Sequence, residues 1–133
     1  MDAKVATIDK LAWLLVSDRR VLFVRPKGKS YFVNAGGKRE EDETDEEALL
    51  REVWEELKVK LLAESIAYAH TFRSHAPDGR PLVSTCYFAN YTGELKASGE
   101  IAGLAWFTTA DGERTTKMGR LILAWLKEMN IID

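Results

Sequence analysis

The stretch Gly36 to Val59, GGKREEDETDEEALLREVWEELKV, decides how this chain folds. A glycine pair opens it, an acidic loop follows, and the second half has the spacing of a single helix. Thr44 stands three residues before Glu47, the arrangement in which each side chain satisfies a free backbone N–H at a helix start. Asp45, Glu46 and Glu47 fill the first turn, where the helix dipole favours negative charge. Leu49, Leu50, Val53, Trp54 and Leu57 form one apolar arc. Glu52, Glu55 and Glu56 fall on the neighbouring arc, which predicts them at the edge of the core-facing side.

That placement is unfavourable in isolation. Like charges at i,i+4 spacing disfavour a helix by roughly 0.2–0.5 kcal/mol per pair, and partial burial strengthens the repulsion by lowering the effective dielectric. A hard divalent cation removes it, because Mg²⁺ and Mn²⁺ prefer oxygen ligands and Mg²⁺ adds water and substrate phosphate oxygens. An acidic helix judged by charge alone would be a solvated face that binds nothing. The spacing argues otherwise.

The stretch resembles the Nudix box, G-x5-E-x7-R-E-U-x-E-E-x-G-U, where U is a bulky aliphatic residue. Gly37, Glu43, Arg51, Glu52, Val53, Glu55, Glu56 and Val59 fall on that pattern, and Lys58 stands where it has its second glycine. A glycine there suits a left-handed helix cap. Lysine either adopts that conformation at a cost on the order of 1 kcal/mol or lets the helix run one residue further, its charge facing the negative end of the dipole. Ala35 replaces the proline that many relatives carry before the glycine pair.

The remaining sequence is that of one domain, expected to span residues 1–133. Apolar residues make up 46% and charged residues 30%, with a formal net charge of −2, so no surface for a nucleic-acid polymer is implied. No membrane span or signal peptide is evident. The single cysteine, Cys86, excludes an internal disulfide and fits a reducing, cytoplasmic setting; its surroundings suggest a small core residue in a strand. Strands are expected at Leu11–Val16, Val21–Val24, Leu82–Tyr91 and Leu104–Phe107. An extended segment is expected from Val59 to Phe72, with Ile66 and Tyr68 on one face. Ala76 to Pro81 is a turn, and Thr116 to Met129 a closing helix built on Met118, Leu121, Ile122, Trp125 and Leu126. His70, Arg73 and His75 are expected on a solvent-facing edge. These elements fit an α/β/α sandwich around a mixed β-sheet, and their order resembles the Nudix fold.

What the resemblance implies is a Mg²⁺-dependent hydrolase (Mn²⁺ as the alternative ion) that cleaves nucleoside diphosphate-linked substrates by water attack at phosphorus. Metal ligands would be Glu52, Glu55, Glu56 and the Gly36 carbonyl. Glu55 or Glu100 would accept the proton of water, and Lys38 would orient that base or offset phosphate charge. Gly37, Glu43 and Arg51 would be structural, the last two as an ion pair. Arg25, in a loop with Lys27 and Lys29, is a candidate phosphate contact; Tyr31, Phe32, Asn34 and Trp106 are candidates for the nucleotide. The small size is like that of nucleoside triphosphate pyrophosphatases, including those acting on oxidised guanine nucleotides. ADP-ribose or a nucleotide sugar is the alternative substrate. A silent nucleotide-sensing domain is the rival of another class, and such domains usually lose helix glutamates. The expected assembly is a monomer or homodimer.

Overall fold

In the computed structural model, which describes residues 6–133, the apolar runs become strands covered on both sides. The strands are β1 (Ile8–Leu14), β2 (Val16–Ser17), β3 (Arg20–Pro26), β4 (Ala35–Gly37), β5 (Lys60–Leu61), β6 (Ala67–His75), β7 (Pro81–Phe88), β8 (Tyr91–Thr92) and β9 (Ile101–Phe107). Helix α1 (Asp45–Leu57) follows β4, and α2 (Lys117–Glu128) follows β9. One sheet has the order β4-β1-β7-β6, with β1 and β7 parallel and the other pairs antiparallel. A second has the antiparallel order β2-β3-β9, and β5 pairs with β8.

Alternation along β1 and β3 explains the layers. Leu11, Trp13, Leu22 and Val24 join a buried cluster with Ala48, Leu49, Val53 and Leu57 of α1. Their neighbours Ala12, Leu14, Val21 and Phe23 join a second cluster with Met118, Ile122, Leu123 and Leu126 of α2. Successive strand residues point to opposite faces, so each strand feeds both clusters and reads as an unbroken apolar run. The result is an α/β/α sandwich with a mixed sheet. Cys86 is fully buried in the α2-side cluster.

Several details differ from the sequence reading. Trp54 is 52% exposed and Leu50 only half-buried, so the buried stripe of α1 is narrower than the apolar arc. Leu121 is likewise 43% exposed on α2. Trp125 is partly buried, with its ring against His70 at 5.2 Å and near Phe72 and Phe88. The segment after Val59 is broken by a 3-10 turn at Ala63–Ser65, and Tyr68 is 60% exposed. No helix among the described residues is long and apolar enough to cross a membrane.

Candidate active site

Antiparallel pairing of β1 with β4 sets Leu11 opposite Gly37 and Ala12 opposite Gly36, and α1 packs over this corner. At Gly36, with φ +140°, an added Cβ would collide with the Leu11 carbonyl; only glycine fits. The Gly36 N–H donates to Oε1 of Glu56 at 2.9 Å. Beside it, a Cβ on Gly37 would lie 2.5 Å from the Glu52 carboxylate. The glycine pair therefore forms a floor against which two helix carboxylates rest.

Arg51 organises the flank. Its Nε and Nη2 donate to the two oxygens of Glu43, each at 2.8 Å. Nη2 also donates to the Lys38 carbonyl at 3.0 Å, and Nη1 to Glu52 at 2.8 Å. This fork ties the acidic loop to the helix and holds Glu43 down at a pKa of about 2, through the Arg51 hydrogen bond first and the Glu40 backbone second. The same Glu43 contact raises Arg51 above its ordinary value. The capping box forms as the sequence predicts, with Glu47 N–H on Thr44 Oγ1 at 3.1 Å and Thr44 N–H on Glu47 at 3.0 Å.

Glu52 and Glu56 are strained electrostatically. Burial raises the Glu52 carboxyl, against the pull of Arg51. Burial also pushes Glu56 up to about 8; the Gly36 N–H opposes the rise and the Glu52 charge adds to it. Glu55 is more open, with its side chain 52% exposed and only a long contact to Arg51 at 3.4 Å. All these donors are carboxylate oxygens, and Gly36 reaches them through its N–H on Glu56. A hard divalent cation is the partner such a set suits, since it offsets repulsion that burial makes costly. Among the described residues no three acidic side chains already converge as a metal cage; Glu52 accepts from Arg51 and Glu56 from Gly36.

The helix end carries Glu100 to this site. Lys58 caps α1 in the left-handed conformation, φ 55° and ψ 34°, and its N–H bonds to the Trp54 carbonyl. The returning loop satisfies the next carbonyls: Ser98 N–H donates to Glu56 at 2.9 Å and Lys96 N–H to Leu57 at 3.0 Å. Gly99 follows with φ +56°, close to the Glu55 carbonyl. Glu52, Glu55, Glu56, Lys58, Gly99 and Glu100 then line one cleft.

On the other side of Glu56 lies a cavity of about 200 Å³, lined in part by Lys10, Tyr31, Asn34, Gly36, Ser84 and Glu100. Its remaining walls are mostly apolar, from Ile8, Leu11, Pro26, Val33, Leu82, Ile101, Met118 and Ile122. Asn34 leaves its buried Nδ2 without a hydrogen-bond partner. Of the other candidates, Arg25 donates to the Lys29 carbonyl at 3.2 Å and closes its own loop. Phe32 lies against Phe107 and Arg114, and Trp106 packs against the α1-side core; neither lines the cavity. Lys38 lines a separate cleft with Asp9, Arg39 and Arg80. Sequence reasoning overlooked Lys10 and Ser84, which face each other in the β1–β7 register. The available signal was the one cation of β1, at the border of its apolar run.

Comparison with protein families matches residues 9–126 to the model described as NUDIX domain. Among solved structures, the MutT protein of Methanosarcina mazei Go1 aligns with a TM-score of 0.79 at 18% identity, over 97% of this chain and 99% of that one. The MutT NUDIX hydrolase of Burkholderia pseudomallei aligns with a TM-score of 0.76 at 24% identity, over 90% and 97%. A UDP-X diphosphatase aligns with a TM-score of 0.68 at 20% identity, over 97% and 66%. At these identities the likeness is one of fold. No curated protein matches the sequence.

Proposed function

The chain belongs to the NUDIX domain family and is by that membership a hydrolase of phosphoric anhydrides, and we propose that its substrates are nucleoside triphosphates, cleaved to monophosphate and pyrophosphate with Mg²⁺. The observation that carries this reading is the junction at Glu56. One of its oxygens rests on the Gly36 N–H, and its carboxyl faces both the acidic cleft and the cavity.

Each residue's part follows from where it stands. Glu52, Glu55, Glu56 and the Gly36 carbonyl would hold the divalent cation. When bound, that ion neutralises phosphate oxygens and acidifies water. Arg51 and Glu43 keep the loop and helix in register, so the carboxylates do not drift apart. Glu55 or Glu100, both exposed, would accept the proton from water. Lys38 supplies positive charge beside the glycine floor. The partly apolar cavity beyond Glu56 would take the nucleoside, with Tyr31 and Asn34 in its wall, and oxidised guanine nucleotides are the first purines to try.

The test is a panel of nucleoside triphosphates, 8-oxoguanine nucleotides, ADP-ribose and nucleotide sugars, each incubated with Mg²⁺ and scored by product. Monophosphate and pyrophosphate from triphosphates support the proposal. Preferential cleavage of ADP-ribose or a nucleotide sugar reassigns the substrate, the possibility raised by the fold neighbour called a UDP-X diphosphatase. Tight binding without turnover of any compound would mark a sensor.

A further inference from the structure

Two lysines stand side by side at the glycine corner. Lys10 is the β1 residue just beyond the Leu11–Gly37 pair, and Lys38 the residue just beyond it on the facing chain. Directly opposed residues of an antiparallel pair share a face, where like charges are destabilising. Among the described residues neither lysine takes part in an ion pair. Both are exposed. Lys10 is nonetheless enclosed enough that burial lowers its pKa, with Glu56 opposing and Lys38 and Arg80 adding to the fall.

Arg80 joins them from the β6–β7 turn and lines the same cleft as Lys38. Its Nε is held on Asp78 at 2.8 Å, which leaves the outer guanidinium nitrogens to other acceptors. The carboxylate in that cleft, Asp9, is already matched by Arg39 at 2.6 Å. Positive charge therefore collects on the β1–β4 side of Glu56, the two lysines without an ion pair and Arg80 with one, to Asp78.

We propose that Lys10, Lys38 and Arg80 form a cradle for the free terminal phosphates of the substrate, so that the protein selects nucleotides ending in exposed phosphate over diphosphates capped by a neutral sugar. The inference rests on the anhydride-hydrolase reading above and narrows it. Multiply charged phosphate relieves the lysine–lysine repulsion, whereas a sugar hydroxyl does not. Lys10 and Arg80 are the new members of the substrate site, acting on the phosphates released as pyrophosphate.

The test pairs binding with turnover. Inorganic tripolyphosphate is titrated calorimetrically in Mg²⁺ into the wild type, Lys10→Met and Arg80→Gln. Each variant should bind at least about tenfold more weakly, the low end for a charge-assisted hydrogen bond, and the wild-type affinity should fall with added salt. With triphosphate substrates, KM should rise by a similar factor, and by clearly more than it does with any sugar-capped substrate. Lys10→Arg should restore most of the loss. Equal tripolyphosphate affinity across wild type and both variants overturns the cradle, whatever the turnover. Absence of anhydride cleavage with the affinity differences intact would instead strike the hydrolase reading alone.

Discussion

Two adjacent glycines should fail in different ways. At Gly37, alanine would bring its methyl within 2.5 Å of the Glu52 carboxylate, against ordinary contacts that begin near 3.4 Å, so the carboxylate must retreat by about 1 Å. The obstacle is the far end of a flexible side chain, and Gly37 has no positive φ, so the backbone accepts alanine. The retreat breaks the 2.8 Å bond from Arg51, worth about 1.5 kcal/mol or somewhat more for a charged donor. Water at this partly exposed site returns some of that, and alanine stiffens the unfolded chain by about 0.4–1 kcal/mol. Net stability should change by under about 1 kcal/mol, a shift of roughly 2–8 °C at most. Catalysis should suffer far more: displacement of a reacting group by about 1 Å costs on the order of a hundredfold. At Gly36 the added methyl meets the backbone of β1 and φ is +140°, so Gly36→Ala should lose about 3 kcal/mol or more. Thermal denaturation, turnover on the best substrate of the panel, and calorimetric Mg²⁺ binding separate the two. Wild-type turnover and metal affinity in Gly37→Ala would refute the reasoning, because Glu52 could then move without consequence.

Three further outcomes are expected. Glu56→Gln should cut turnover at least about a hundredfold with the fold intact. Because the folded pKa of Glu56 is raised to about 8, ionising it costs stability progressively as pH rises from its unfolded value toward 8; in EDTA the variant should gain on the wild type across that window, and parallel melting curves from pH 5 to 8 would contradict it. Glu43 has the opposite sign: its folded pKa of about 2 means the Arg51 pair stabilises fully above the unfolded value and is lost as pH falls toward 2, so Glu43→Gln should flatten the acid limb of a melting-temperature profile, and an unchanged limb counts against the pair. Trp125→Ala should cost about 2–4 kcal/mol, near the lower part of the range for a buried aromatic, since Trp125 is only partly buried against His70, Phe72 and Phe88; an unchanged urea midpoint would deny its packing role.

The sequence revealed local chemistry better than contact across the fold. Thr44 and Glu47 declared the start of α1 because a capping box is a local interaction, complete within four residues. Glu43 and Arg51 were placed by the motif, and a bidentate pair at 2.8 Å joins them. Trp54 misled because helical periodicity marks an apolar arc without revealing how wide a surface the sheet offers it. Lys10 was missed for a related reason: its neighbours Ser84 and Lys38 come from β7 and the end of β4, and only register brings them together. Phe32 and Trp106 looked available for a nucleobase because aromaticity does not encode a side, and alternation turned both into the packed layers.

Lys58 shows why a departure from the motif need not dissolve the site. Had α1 continued, the Glu56 and Leu57 carbonyls would have been taken by further helical N–H groups. Instead they accept from Ser98 and Lys96, and those two bonds fix the path that delivers Gly99 and Glu100 to the acidic cleft. Reversal of the chain at residue 58 is therefore a condition of the cleft itself. Lysine meets it at φ 55°, a conformation that costs a residue with a Cβ about 1–2 kcal/mol. Its ammonium lies 5.2 Å from the centre of the Trp54 ring, a contact that offsets about 0.5–1 kcal/mol at an exposed position. That partnership also gives the exposed tryptophan a reason to stand outside the core. The glycine of the motif supplies a backbone shape, and here the shape is retained while the residue that usually provides it is not.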